Sequence, residues 1–101
     1  DDDGYEKYLI LQELLDFSSE RYESSIRQNA LEVLLKLAPD DYFVIASLFR
    51  ATTHHKWQFT KFSRDIIREK LKNSEFRNRV EELAKTTDEK TAALYLKFLK
   101  E

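Results

Sequence analysis

One glycine and one proline in 101 residues leave this chain very few ways to turn. Tight β-hairpins call for glycine or asparagine at positive φ, and phosphate-cradling loops call for several glycines. Helices joined by short polar connections need neither. The expected fold class is therefore all-α, as a compact bundle or short stack of five to six helices. Ordered folding follows from 42% hydrophobic and 13% aromatic residues, enough for a core despite 36% charged residues.

Hydrophobic spacing locates the helices. Tyr5 to about Phe17 predicts a first helix, with Tyr8, Leu11 and Leu15 on one stripe and Ile10, Leu14 and Phe17 on another. Ser18-Ser19 is expected to punctuate it and cap a second helix over about 20–38, with Tyr22, Ile26, Ala30, Val33 and Leu37 in line and Leu31 and Leu35 on a neighbouring face, so that it packs on more than one side. Pro39 ends that helix, because it pushes the residue before it out of the helical region. Asp40 and Asp41 favour the start of a third by complementing its dipole. The third, about 40–51, is apolar all round and is expected to be the most buried, with Phe43, Ile45 and Leu48 at its centre. A fourth runs from about His54 to Lys72. Asn73-Ser74 caps a fifth carrying Phe76, Val80 and Leu83, and a capping box of Thr86 with Glu89 opens the sixth. Residues 1–4 read as an acidic tail and 5–101 as a single all-helical domain. The start, Asp1-Asp2-Asp3-Gly4 with no methionine, suggests a domain excised from a larger protein.

The helix pairs begin about 34 residues apart, a period typical of two-helix repeats. In the second helix, Ile26-Arg27, Ala30-Leu31, Leu34-Leu35 and Leu37 resemble the second helix of a HEAT-type repeat. The resemblance covers one helix of six, and Thr60, Arg64 and Arg68 of the fourth helix depart from it. It implies stacked helical hairpins; a closed irregular bundle is the alternative.

Several function classes drop out. Without cysteine there is no disulfide framework, thiolate nucleophile or sulfur-ligated metal, which favours an intracellular home in cytoplasm or nucleus. No apolar run approaches the ~20 residues needed to span a bilayer, so no membrane association is expected. His54 and His55 are adjacent and diverge by about 100° on a helix, the wrong spacing for a shared metal. The Glu81-Glu82 and Asp40-Asp41 pairs lie where a solvated face or first turn puts them. No serine sits in a nucleophile elbow. No enzyme activity, cofactor, metal or small-molecule substrate is expected.

Charge carries the remaining signal. Net charge is −2, but residues 1–49 hold 11 acidic against 4 basic residues, and residues 50–79 hold 9 basic against 3 acidic. On the fourth helix Phe59, Phe62, Ile66 and Ile67 share one broad side. Trp57, Lys61, Arg64, Arg68 and Lys72 fall within roughly 80° of one another on the other. These five form the expected partner-binding face. A protein or peptide partner that is acidic or amphipathic would use the tryptophan as an anchor. Nucleic acid is the alternative, with bases stacked on the ring and phosphates held by the cations. Packing of Trp57 into a neighbouring helix is the structural reading of the same residues.

Overall fold

A computed structural model describes the backbone of residues 2–101 and the side chains of residues 4–101. The fold is all-α. Six helices follow one another, α1 (Asp2–Phe17), α2 (Ser24–Leu37), α3 (Tyr42–Ala51), α4 (Trp57–Lys70), α5 (Ser74–Thr86) and α6 (Glu89–Leu99), with no strand among the described residues. No described helix is long and apolar enough to cross a membrane. Backbone contacts divide the chain into two compact units, Asp1–Ser47 and Leu48–Glu101, and the division falls inside α3.

In the first unit α1 packs against α2. α1 takes in Asp2, Asp3 and Gly4, beginning earlier than the expected Tyr5, while Asp1 lies outside the described residues. Leu11, Leu14 and Leu15 are its half-buried side chains, whereas Tyr5, Tyr8, Leu9, Ile10 and Phe17 are exposed. The buried side of α2 is Arg27, Ala30, Leu31 and Leu34. The expected stripe through Ile26, Val33 and Leu37 is instead its exposed flank. The helix is rotated by roughly a quarter turn because Arg27 goes inside. There its Nε donates to the Ser18 carbonyl at 3.1 Å. Ser18 is itself buried; its hydroxyl donates to the Leu15 carbonyl at 2.7 Å and lies 3.2 Å from the Ser47 hydroxyl. Ser18-Ser19 therefore does not cap α2, whose N-cap is Glu23 with no side-chain cap bond.

α2 ends at Leu37, two residues before Pro39, as the proline requires. Asp41 then accepts the amide hydrogens of Phe43 at 2.8 Å and Val44 at 3.2 Å, satisfying the orphan donors that start α3. Ile45 and Leu48 are fully buried, as the apolar run predicts, but Phe43 is 70% exposed. The reason is geometric. Val44, Ile45, Ser47, Leu48, Phe49 and Ala51 occupy the buried arc of α3, and Phe43 lies two turns from Arg50 on the opposite side.

In the second unit α5 packs against α6. Phe49 sits at an aromatic cluster, its ring edge-on to Tyr95 at 4.7 Å and to Phe98 at 5.4 Å between centroids. Burial raises the pKa of the Tyr95 hydroxyl above its usual value. Leu48, Phe59, Ile67, Leu71, Phe76 and Val80 are the unit's other large buried side chains. Asn73 is the N-cap of α5, its Oδ1 accepting from the Phe76 amide at 3.0 Å. Replacing Asn73 with alanine is expected to cost about 1 kcal/mol, read as a lower midpoint in denaturant unfolding. The cap of α6 is Asp88, not Thr86. α5 continues through Thr86, and the Asp88 carboxylate takes both the Thr91 amide (3.0 Å) and the Thr91 hydroxyl (2.7 Å). The bonds to Thr91 hold the Asp88 carboxyl below its usual pKa.

Candidate docking face on the fourth helix

α4 begins at Trp57, three residues later than expected. His54 and His55 lie in the turn before it, their rings stacked at 4.3 Å. His54 Nδ1 accepts the Lys56 amide at 3.0 Å, and its ring meets Phe59 edge-on at 5.3 Å. That arrangement closes the turn into the helix. Among the described residues, no three His, Asp or Glu side chains come together to hold a metal ion.

The buried side of α4 is Phe59, Thr60, Ser63 and Ile67, with Phe62 and Ile66 half-buried beside it. Small hydroxyls are tolerated there because each is satisfied locally. Thr60 Oγ1 donates to the backbone carbonyl of Lys56 or His54, and Ser63 Oγ to that of Thr60 or Phe59. With this side turned inward, the opposite side carries Trp57, Lys61, Arg64 and Arg68. Trp57 is 66% exposed and so is no part of the core. Lys61 and Arg68 are exposed, and Arg64, nearest the buried edge, is half-buried. Lys72 is exposed too, but it lies beyond the last residue of α4, in the turn toward α5.

Each of three cations meets a carboxylate. Lys61 Nζ pairs with Asp65 at 2.6 Å and Lys72 Nζ with Glu69 at 3.0 Å. Arg68 grips Glu101 with a fork, Nε at 2.8 Å and a terminal nitrogen at 3.3 Å. The bond from Lys61 lowers the Asp65 pKa. The bond between Arg68 and Glu101 lowers the Glu101 pKa and raises that of Arg68. Arg64 makes no ion pair among the described residues. All these pairs are solvated, and such exposed pairs contribute at most about 1 kcal/mol and often nothing. They leave the cations in place and available for exchange.

No family model, curated protein or solved structure matches the chain. The HEAT-like pattern of α2 thus rests on its own residues.

A second surface feature had no counterpart in the expected site. Leu14, Phe17, Ile26, Asn29, Ala30 and Val33 of α1 and α2 line an apolar concavity of about 270 Å³. Its sequence signal is the number of apolar positions on α1, which face more directions than one neighbouring helix covers. A concavity of about 300 Å³ with a mixed charged and apolar lining lies among Arg68, Leu71, Lys72, Arg77, Phe98 and Glu101, continuing the basic face past the end of α4. Arg77 borders it with a terminal nitrogen donated to the Leu99 carbonyl at 2.6 Å.

Proposed function

We propose that this chain is a non-catalytic helical protein-interaction module that receives an acidic, amphipathic partner segment on α4. The observation that carries the reading is the exposure of Trp57, the only tryptophan, on the same side as Lys61, Arg64 and Arg68. A large aromatic side chain left in solvent beside flexible cations has the composition of a binding hot spot. The Lys72 turn extends the face.

The alternation of charge favours a peptide over nucleic acid. Asp65, Glu69 and Glu101 lie among the cations, and a polyphosphate backbone meets every one of those carboxylates with like charge. A peptide that is acidic at only some positions can avoid them and lay apolar side chains on Trp57.

Calorimetric titration tests the reading with two probes of equal net charge. One is a synthetic helix with glutamate and leucine on opposite faces, the other a single-stranded oligodeoxynucleotide. The peptide is expected to bind more tightly and with the shallower salt dependence. Arg64→Glu with Arg68→Glu should weaken peptide binding about tenfold or more while leaving the helical circular dichroism unchanged. Tighter oligonucleotide binding with a steep salt slope would replace the peptide reading with the nucleic-acid one.

A further inference from the structure

We infer that the segment this face receives is α1 of a second copy of the same chain, with Trp57 of one copy seated at the apolar concavity between α1 and α2 of the other. The inference rests on the proposed role of the α4 face and names its partner.

α1 has the chemistry that α4 calls for. Its sixteen residues hold five acidic side chains and one lysine, and no large side chain described on it is fully buried. On its solvent side Glu6, Ile10, Glu13 and Phe17 fall within roughly 60° of one another. On α4, Trp57, Lys61, Arg64 and Arg68 span a similar arc. Both sets have successive members four, three and four residues apart. Laid antiparallel, the two faces match at every position. Glu6 stands opposite Arg68, Ile10 opposite Arg64, Glu13 opposite Lys61 and Phe17 opposite Trp57. That is two opposite-charge pairs, an isoleucine under an arginine stem and an aromatic pair. A parallel arrangement sets Trp57 against Glu6 and loses the aromatic pair.

Every member but Arg64, which is half-buried, is exposed: Ile10 is 49% exposed, and Glu6, Glu13, Phe17, Trp57, Lys61 and Arg68 are exposed as well. Glu6 and Glu13 carry no ion pair among the described residues, unlike Asp16, which is already held by Arg21 at 2.6 Å. The pairs of Lys61 with Asp65 and of Arg68 with Glu101 are solvated and weak enough to exchange or share. The second observation is the concavity itself. Phe17, the residue placed opposite Trp57, forms part of its wall with Leu14, Ile26 and Val33, so an incoming indole has an apolar place to bury. The surfaces are different on the two copies, so the contact is heterologous.

Sedimentation equilibrium from micromolar to millimolar concentration tests this. The mass is expected to rise above the 12.1 kDa of one chain at low salt. It should fall back toward it near 1 M salt, where screening shortens to about 3 Å. Two charge-reversed copies give the decisive arm. One carries Lys61→Glu with Arg68→Glu and the other Glu6→Lys with Glu13→Lys; all four positions are exposed, and circular dichroism checks that both copies stay helical. Each alone should associate at least tenfold more weakly than the unaltered chain, and an equimolar mixture should recover the association of the unaltered chain, because each altered face meets one of opposite charge on the other copy. If the unaltered chain stays at 12.1 kDa throughout while the synthetic acidic helix still binds, self-association is wrong and the α4 reading stands. If neither occurs, both fail. If the charge-reversed copies each associate as strongly as the unaltered chain, the contact lies elsewhere and the inference is overturned.

Discussion

Phe49→Ala is expected to cost about 3–5 kcal/mol, the range for emptying a fully buried phenylalanine site. Phe49 is 1% exposed and contributes to two edge-to-face ring pairs, with Tyr95 and Phe98. Truncation removes the buried ring surface and leaves both partners facing a void that packed helices fill only in part. At this chain length each kcal/mol lowers the melting temperature by roughly 4–8 °C, so a drop of about 12 °C or more is expected in thermal unfolding. Phe43→Ala is the matched control, the same truncation in the same helix at an exposed position. It should stay within about 0.5 kcal/mol of the unaltered chain. Equal losses from the two changes would contradict the placement of α3.

Arg27→Ala should be nearly as costly, at about 2–4 kcal/mol. Arg27 is 3% exposed, and its Nε holds the carbonyl of Ser18 where the chain leaves α1. Loss of the donor strands a buried acceptor, which costs about 1–3 kcal/mol. Loss of the aliphatic stem adds a packing term beside Ala30, Leu31 and Leu34. Arg27→Met restores the stem but not the donor, so it should recover part of the loss. Chemical denaturation of the two variants separates packing from hydrogen bonding. Full recovery by methionine would show that the bond to Ser18 contributes nothing.

The contrast between these residues shows what was legible in the sequence. Helix number and class followed from the apolar spacing and the scarcity of glycine and proline, and Asn73 and Pro39 marked their boundaries by local chemistry alone. Which face of an apolar helix turns inward was harder to read. Periodicity gives no ranking when every side of α3 is apolar, yet Arg50, seven residues after Phe43, marks the exposed side. In α2 the apolar stripe through Ile26 and Val33 was misleading because an arginine occupies the interior, satisfied by a carbonyl nine residues away. The exposed side of α4 could be drawn from its periodicity, except that Lys72 falls beyond the end of the helix. Glu101, 33 residues from Arg68, could not be placed beside it without the fold. The concavity between α1 and α2 depends on how two helices pack, which no single-helix pattern encodes.

Trp57 is the sole tryptophan and so reports on its own face without labelling. The most direct measurement is its fluorescence and acrylamide quenching at sub-micromolar chain concentration, with and without the synthetic acidic amphipathic helix. Alone, an indole 66% exposed should emit at long wavelength and be quenched readily. At saturating peptide the emission should move to shorter wavelength and quenching should fall, and Arg64→Glu with Arg68→Glu should shift both changes to peptide concentrations about tenfold higher or more. Emission and quenching unmoved by saturating peptide would contradict α4 as the docking face.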